Sequence, residues 1–569
     1  MHGRVKVRTS EEQAEAKKKE QQEKLKIYSS VTSKIFIKRK NDELDEELLE
    51  LTRGILEKNP DFYTFWNYRR ETLLRMKDQK LLTFLFSNRD DEELKKLSLL
   101  ELDLTQHCLK VNPKSYSTWN HRFWVMEFNP DADWKRELKL CNFFLSQDER
   151  NFHCWDYRRL VAKKCLISPE EELEYTSKLI ESNFSNYSAW HYRSKLLPII
   201  HLDTVTGSIK ENVLLKEFEL IQNAAFTDPD DQSVWFYHRW LLGKNSILQI
   251  LNVSVFKPEK SILVLLSEPL QVNSQNLKLY VNDTTVHTCW RSVSQNMPVS
   301  SVWLCDFPLD PVDTISSVTV KLSERDIEDS LSCSLDGILS STWKKSSRRD
   351  IFRSTLNAAA KDVLEQELES CQQLNDLEPD NKWTVFTCVL LMRALNDSKF
   401  DDQIVDFMNK LMKIDALRKN YYKDLGSKFV IENMIESLPV DVRSIDLSKN
   451  HLTSLHHFDH FLLIEHIDLS SNNLTSIYPF QYLVYLKSAI LDDNQLTTFH
   501  GVENLKHLKS LSVQRNCIKE PKNLNILKTC SSLEELFLQD NPLFLEADYN
   551  KTLCIFQNNG QFHFNVNFN

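Results

Sequence analysis

Three histidines stand close together near the C-terminal end of the chain. His456, His457 and His460 form an HHxxH pattern, and imidazole nitrogens are common zinc ligands. The segment lies between two copies of an asparagine-containing repeat, described below, and lacks the pattern of a third ligand. We therefore expect a solvated surface segment rather than a metal site. His2 lies on a basic N-terminus and could reach a metal ion on a partner, but a disordered tail is the simpler expectation.

A second group of residues could stabilise an anion. Lys114 follows Asn112-Pro113 and is expected within the first turn of a helix, where its ammonium group would add to the positive end of the helix dipole. Tyr116 can donate through its hydroxyl group, and His153 can donate when suitably protonated. The sequence alone leaves ordinary alternatives open: a solvated lysine, a core tyrosine and a histidine that packs between repeats.

Other familiar chemistries are excluded by composition. The chain has 8 glycines in 569 residues, and no two lie within 20 residues of each other. A Walker A loop, a GxGxxG turn, a kinase glycine-rich loop and a nucleophile elbow each need close glycines. The 12 cysteines form no CxxC pair, which argues against zinc fingers and thioredoxin-like sites.

Charge and hydropathy bear on partners and location. The net charge of −10 makes the chain a poor candidate for binding nucleic acid. The first 26 residues contain no apolar signal-peptide core, and no apolar run approaches the roughly 18 residues of a membrane span. We therefore expect a soluble, cytoplasmic protein without an integral membrane segment.

A tryptophan-centred motif occurs five times. In the first four copies an arginine follows the tryptophan by three residues, and in the fifth the arginine comes one place later. Asn-Pro or Asp-Pro precedes three of the copies, and these pairs are expected to cap and begin a helix. Each unit therefore predicts a helical hairpin, with the tryptophan packed between hairpins and the arginine bound to carbonyls or carboxylates. The tryptophans are Trp66, Trp119, Trp155, Trp190 and Trp235.

Two further regions interrupt and follow the hairpins. Residues 244–345 contain short alternating runs that predict a β-sandwich, and residues 363–395 resemble a sixth, degenerate hairpin. At the C-terminal end the pattern LxxLxLxxNxL recurs five times, which predicts a leucine-rich repeat domain whose asparagines bond turn backbone inside the stack. These asparagines are Asn450, Asn472, Asn494, Asn516 and Asn541.

The predicted organisation is multidomain and mainly α-helical. A solenoid of α-α helical hairpins covers residues 1–243 and 346–440. An immunoglobulin-like β-sandwich covers residues 244–345, and a leucine-rich repeat domain covers residues 441–569.

The five copies of the (P)xxYxxWxxR motif resemble the α subunits of the protein prenyltransferases. With the β-rich insert and the leucine-rich tail, the resemblance is to the Rab geranylgeranyltransferase branch of that family. It implies a crescent of hairpins around a separate β subunit, which holds the catalytic zinc and most of the isoprenoid pocket. It further implies transfer of geranylgeranyl from geranylgeranyl diphosphate to C-terminal cysteines of Rab GTPases, which a Rab escort protein presents. This chain would be inactive alone and hold no metal.

The resemblance also assigns roles to individual residues. Lys114 and Tyr116 match the second-motif Lys and Tyr that face the diphosphate in the family. His153 matches the histidine of a third-motif Tyr-His pair, whose tyrosine is replaced here by Phe152. Ser117 stands where farnesyltransferase-type subunits have a glutamine that reads the CaaX carboxylate, and its short side chain fits a Rab enzyme.

Two alternatives stand beside this interpretation. A non-enzymatic scaffold of helical and leucine-rich repeats would share much of the pattern, but the repeated Trp-x-x-Arg is absent from tetratricopeptide repeats. An α subunit shared by CaaX enzymes would lack the extra domains.

Overall fold

The computed structural model describes most of the chain. The described ranges are residues 11–83, 90–202, 209–243, 248–258, 260–293, 297–306, 315–324, 327–344, 361–395, 398–439, 441–503 and 505–545. His2 lies outside them. The chain divides into two compact units, Met1–Leu202 and Asp203–Asn569. The predicted domain boundaries remain predictions.

The first unit is helical over its described residues. Its helices are α1 (Glu11–Lys40), α2 (Glu46–Leu56), α3 (Tyr63–Thr83), α4 (Asp90–Val111), α5 (Tyr116–Phe128), α6 (Trp134–Gln147), α7 (Phe152–Lys164), α8 (Pro169–Ser182) and α9 (Tyr187–Ile200). Helices α2 to α9 pack as consecutive pairs, and the second helix of each pair carries one tryptophan motif. The pairs are the hairpins that the motif predicts.

The predicted helix caps are wrong at the Asn-Pro and Asp-Pro steps. Helix α5 begins at Tyr116, and its N-cap is Ser115, whose side chain accepts from the backbone N–H of Thr118. Asn112 and Pro113 therefore precede the cap, and Lys114 lies just outside the helix rather than in its first turn. Instead, the side chain of Asn112 accepts from the backbone N–H of Lys114 in the turn, and Ser115 caps the helix.

Each motif tryptophan is tied to the turn before its own helix. The indole N–H of Trp119 donates to the carbonyl of Pro113, six residues earlier, at 2.9 Å. The other four tryptophans make the same bond at the same offset, at 2.6 to 2.9 Å. All five are buried, so the bond satisfies an indole N–H that has left water.

Buried ion pairs join successive hairpins in the first unit. Arg122 on α5 makes a two-pronged pair with Glu137 on α6 of the next hairpin, with 2.8 Å between Nη2 and Oε2. Glu137 also accepts from the hydroxyl of Tyr157 on α7, at 2.7 Å. Equivalent contacts link Arg69 with Glu101 and Arg158 with Glu172. The expectation that the motif arginines bind carboxylates is confirmed at these three junctions.

The second unit contains both helices and strands. Its first helices are α10 (Glu211–Thr227) and α11 (Gln232–Leu241), followed by β1 (Ile250–Phe256), β2 (Ser261–Leu270), β3 (Leu277–Val281), β4 (Thr284–Val286), β5 (Arg291–Ser292), β6 (Ser300–Asp306), β7 (Ser317–Glu324), β8 (Ile327–Ser334) and β9 (Leu339–Trp343). Then come α12 (Lys361–Leu377), α13 (Lys382–Leu395), α14 (Asp401–Ile414) and α15 (Lys419–Ser437), and finally β10 (Ser444–Asp446), β11 (His466–Asp468), β12 (Ser488–Ile490), β13 (Ser510–Ser512) and β14 (Glu535–Phe537).

Strands β1 to β9 form two sheets over one apolar core. The strand orders are β5-β6-β2-β1-β9 and β4-β3-β7-β8. Val253 and Val264 from the first sheet share a buried cluster with Leu279 and Val320 from the second. The alternation of apolar and polar residues along these runs produces this arrangement, because successive side chains of a strand point to opposite faces.

The helical hairpin that precedes strands β1 to β9 in the chain contacts the helical hairpin that follows them. His238 on α11 meets Glu367 on α12, with 2.9 Å between Nε2 and Oε2. The side chain of Asn381 donates to the carbonyl of Pro229 at 2.9 Å. His238 lies three residues after Trp235 and so takes the place of the motif arginine, which accounts for Arg239 coming one position late.

Strands β10 to β14 form one parallel sheet in sequence order. Asn472 shows the role of the repeated asparagine: its amide donates to the carbonyls of Leu447 and Leu469 at 2.9 Å, and its oxygen accepts from Leu452. The first asparagine differs from the prediction. Asn450 is exposed, and its side-chain amide donates to the carbonyl of Ser448 in its own turn, because no copy of the repeat precedes it.

Gly501 and Gly54 provide a test of this packing. Gly501 has φ of 117°, and a Cβ there would collide with the carbonyl oxygen of Ile477 and lie 2.7 Å from the Cα of Tyr478. We expect Gly501→Ala to lower the free energy of unfolding by about 1–3 kcal/mol. Gly54, inside α2, has nothing within 4 Å of its added Cβ, so Gly54→Ala should raise that free energy by about 0.5–1 kcal/mol. Urea unfolding of both variants measures the two changes in the free energy of unfolding. Changes of equal sign and size would contradict this expectation.

None of the helices within the described ranges is long and apolar enough to cross a membrane.

Candidate functional site

Lys114 lies in the turn between α4 and α5. An Asx turn fixes its backbone, since its N–H donates to the side-chain oxygen of Asn112 at 3.1 Å. Its ammonium group lies 3.5 Å from a carboxylate oxygen of Asp148, at the end of α6, and its side chain is 62% exposed. The ammonium group therefore lies near the surface beside a carboxylate and can meet an incoming anion.

Tyr116 and His153 lie together at the starts of two adjacent second helices. Tyr116 is the first residue of α5, and His153 is the second residue of α7. Their ring centroids are 4.0 Å apart and their planes nearly perpendicular, at 85°. Tyr116 is 68% exposed, so it is not the core tyrosine that the sequence left open, whereas His153 is buried to 7% exposure. We call Lys114, Tyr116 and His153 the Lys–Tyr–His cluster.

The histidine of this cluster has a shifted pKa. Burial lowers the pKa of His153 below its ordinary value, the nearby Lys114 charge lowers it further, and Asp156 opposes the shift. The imidazole is therefore neutral at neutral pH and offers one N–H donor.

The cluster combines the features of an anion site. A cationic ammonium group, a hydroxyl donor and an imidazole N–H stand beside the N-termini of α5 and α7, whose backbone N–H groups favour negative charge. Preorganised donors of this kind lower the energy of a transition state in which negative charge develops. The arrangement is suited to binding a departing phosphate or diphosphate group.

Sequence reasoning missed two features of this region. The first is Asp148, which contacts Lys114 and has no distinguishing local pattern. The second is the exposure of a row of aromatic residues at the tyrosine position of the motif, three before the tryptophan, where each begins the second helix of a hairpin. We call it the aromatic row: Tyr63, Tyr116, Phe152 and Tyr187, which are 50 to 68% exposed. The fixed offset from the tryptophan was the available signal.

The HHxxH segment lies outside this cluster in the chain. The prediction of a solvated segment is wrong for His460, which is 6% exposed, while His456 and His457 are half-buried.

The shifted pKa of His153 predicts a pH effect on stability. Because the folded protein holds this pKa below that of the unfolded chain, the unfolded chain binds a proton first as the pH falls below about 6.5. Unfolding therefore becomes more favourable between about pH 7 and pH 5, while stability above pH 7 is untouched. We expect His153→Gln to lose less stability over that interval than the parent chain. The control variant is His107→Gln, at an exposed position, and it should lose as much stability as the parent chain. A pH profile of His153→Gln that runs parallel to that of the parent chain would contradict the assignment. Urea unfolding at each pH provides the measurement.

Comparison with known protein families identifies the class of protein to which the helical pairs belong. Residues 45–76, 99–129, 134–165, 169–199 and 214–245 match the family described as the protein prenyltransferase alpha subunit repeat. Residues 250–348 match the family described as the Rab geranylgeranyl transferase alpha-subunit insert domain. The hairpins and their tryptophan motif are therefore those of a prenyltransferase α subunit.

Individual relatives show which kind of prenyltransferase α subunit the chain resembles. The mouse geranylgeranyl transferase type-2 subunit alpha is 45% identical over 478 residues, 82% of this chain and 82% of the relative. The pig subunit is 44% identical over 556 residues, 95% of this chain and 96% of the relative. The subunit from Saccharomyces cerevisiae is 36% identical over 262 residues, 44% of this chain and 75% of the relative. The chain belongs to the family of geranylgeranyl transferase type-2 α subunits, which pair with a β subunit, and these findings do not favour the scaffold alternative.

Proposed function

We propose that this chain and a β subunit transfer geranylgeranyl from geranylgeranyl diphosphate to C-terminal cysteines of Rab GTPases, presented by a Rab escort protein. The single observation that carries the role of this chain is the contact of Tyr116 with His153 beside Lys114. Tyr116 and His153 come from two successive hairpins and meet there at helix N-termini, and Lys114 lies two residues before Tyr116 in the chain. The names of the relatives support the geranylgeranyl substrate.

The chemistry of the reaction explains what these residues do. A cysteine thiolate attacks the allylic carbon of the lipid, the carbon–oxygen bond to the diphosphate breaks, and negative charge grows on the leaving group. In our proposal Lys114 meets that charge with its ammonium group, while Tyr116 and His153 donate hydrogen bonds to it. Interactions that strengthen as the leaving group departs accelerate the chemical step.

The catalytic zinc is assigned in this proposal to the β subunit. Zinc sites need three or four Cys, His or carboxylate ligands, and the Lys–Tyr–His cluster offers a single imidazole. Over the described ranges, three metal-ligating side chains come together only at His457, Asp459 and His460, far along the chain from the cluster. The donor set near Lys114 does not fit the metal, so this chain alone should be inactive.

The aromatic row supports docking of the β subunit. Its rings project from equivalent positions of four hairpins and remain half or more exposed. Aromatic side chains give large contact area at low entropy cost and are enriched in protein interfaces. We propose that the β subunit covers this row and completes the site around Lys114.

The remaining parts of the proposal concern architecture and location. The two sheets over one core support an immunoglobulin-like β-sandwich, and the parallel strands with buried asparagines support a leucine-rich repeat domain. Within the described ranges the cysteines are dispersed and free, which supports our proposal of a cytoplasmic location.

Purification of the tagged chain from its own cells tests the subunit assignment. We expect a second, zinc-containing chain to co-elute in equal amount through size-exclusion chromatography. A tagged variant with Tyr63, Phe152 and Tyr187 changed to serine should lose most of that chain while keeping its helical circular dichroism. Elution of the parent chain without a stoichiometric partner would contradict the proposal.

A further inference from the structure

The arginine of the fifth motif copy has neighbours unlike those of the arginines at the first three junctions. His238 takes the carboxylate of Glu367 on α12, and Arg239 follows one position later. One residue of an α-helix turns the side chain by about 100°, so Arg239 meets other groups. Its guanidinium carbon lies 4.5 Å from the ring centroid of Phe386 and 5.3 Å from that of Trp383, both on α13. This arginine therefore lies on an aromatic platform instead of in an ion pair with a carboxylate.

The guanidinium group of Arg239 is partly buried without an anionic partner. Its Nε and Nη2 atoms are buried and have no hydrogen-bond acceptor among the described residues, although the residue as a whole is partly exposed. Burial lowers the pKa of Arg239 below its ordinary value, and the Arg418 charge lowers it further. Burial also acts on Arg122, but there the Glu137 carboxylate holds the pKa above its ordinary value. Because a desolvated charge without a partner is costly, an anion that reached Arg239 would be bound favourably.

Two further cations lie around the same tryptophan. Nζ of Lys382, the first residue of α13, lies 5.4 Å from the ring centroid of Trp383. The guanidinium carbon of Arg418, just before α15, lies 5.5 Å from that centroid. Aromatic rings attract cations through their negative faces, which allows three positive groups to gather here. We call Arg239, Lys382 and Arg418 the cation cluster.

Nearby carboxylates do not balance this charge. Asp415 pairs with Arg418 at 2.9 Å, and the Arg418 side chain is still 49% exposed. Asp380, two residues before Lys382, lies 4.0 Å from Lys410. Three cations with one paired carboxylate leave an excess of positive charge, which suits an incoming anionic group.

Exposed apolar side chains flank the cation cluster. Leu417 is 100% exposed, Tyr421 is 51% exposed and Phe236 is 43% exposed. The rings of Tyr421 and Phe236 lie 6.1 Å from Phe386 and 5.7 Å from Trp383, respectively. Arginine and aromatic residues are the types enriched in protein interfaces. The surroundings therefore favour a protein partner over a small free anion.

We propose that the cation cluster binds a carboxylate group on the surface of the β subunit. The inference rests on the pairing with a β subunit in the proposed function. Lys382 begins the second helix of its hairpin, as the residues of the aromatic row begin theirs. The two sets thus occupy equivalent positions of the repeat, and the proposed function assigns the aromatic row to the β subunit. A carboxylate can accept two hydrogen bonds from one guanidinium group.

The rate at which the β subunit dissociates from the immobilised full-length chain tests this inference. We expect Arg239→Met to speed dissociation at low salt by roughly 10- to 100-fold. Its rate should also depend less on salt than that of the parent chain, because salt screens ion pairs. Lys382→Met should act in the same direction but less strongly, because an ammonium group lacks the two-pronged geometry. The isolated Arg239→Met chain should unfold in urea no earlier than the parent chain, since the variant removes an unpaired charge.

Lys413→Met is the matched control. It removes an exposed cation from the last turn of α14, outside the cation cluster, and should dissociate like the parent chain. Equal dissociation rates for the parent chain, Arg239→Met and Lys382→Met would overturn this inference and leave the pairing with a β subunit intact. Faster dissociation of Arg239→Met with an unchanged salt dependence would overturn it as well. A parent chain that binds no β subunit would instead contradict the proposed function, and this inference with it.

Discussion

Replacing Lys114 with alanine should lower the single-turnover rate of prenyl transfer by roughly 10- to 100-fold. This corresponds to about 1.5–3 kcal/mol, the range for a hydrogen bond to a charged group. The ammonium group belongs to a fixed turn, lies 3.5 Å from Asp148 and is 62% exposed, so it is available to the leaving diphosphate. An interaction that strengthens in the transition state lowers the rate of the chemical step when it is lost, and leaves Rab binding largely intact. The measurement uses the preformed heterodimer with saturating lipid and saturating Rab–escort complex.

Variants at neighbouring positions separate charge from position. Lys110→Ala, on the exposed last turn of α4, should leave the rate unchanged. Lys114→Arg should restore part of the rate, because it keeps the charge but changes the reach. His153→Ala should have a smaller effect than Lys114→Ala, since a neutral imidazole offers less than an ammonium group. An unchanged rate for Lys114→Ala in an intact dimer would show that this lysine is an ordinary surface residue.

Removal of Glu137 should destabilise the first unit by about 3–5 kcal/mol, the cost of leaving a buried charge unpaired. Arg122 and Glu137 are both about 3% exposed, and Glu137 also accepts from Tyr157 at 2.7 Å. Glu137→Ala therefore leaves the guanidinium group of Arg122 inside the fold without its carboxylate. Urea unfolding, followed by tryptophan fluorescence and circular dichroism, measures the change.

Two comparisons identify the cause of that loss. The double variant Arg122→Leu with Glu137→Leu removes both charges and should be less destabilised than Glu137→Ala alone. Glu174→Ala removes an exposed partner of Lys178 and should leave the unfolding curve within error. If Glu137→Ala unfolds like Glu174→Ala, the buried pair does not hold the hairpins together.

The sequence predicted the hairpins because their signal is local. Tryptophan and arginine recur at one spacing, and the offset of three places both on one helix face. The strands of the second unit were predicted for the same reason, from alternation within single runs. The carboxylate partners were not predicted: Glu101 lies 32 residues after Arg69, and only the packed hairpins bring the two together.

The candidate site was predicted only in part. Lys114, Tyr116 and His153 were named through a family resemblance, and the structure brings Tyr116 and His153 into contact. The helix start after Asn112-Pro113 was misplaced because Asn112 and Ser115 are both good capping residues, and the sequence does not show which of them caps the helix. The burial of His460 was missed because HHxxH contains no cue to what packs over it.

Reconstitution of transfer from separate subunits is the most direct test of the central claim. The purified chain, a purified β subunit, geranylgeranyl diphosphate labelled in the lipid, and a Rab–escort complex are combined in all pairings. We predict incorporation of label into Rab cysteines only when both subunits are present, with a rate that falls on Lys114→Ala. Transfer by the isolated chain, or full transfer by the β subunit without it, would contradict the account.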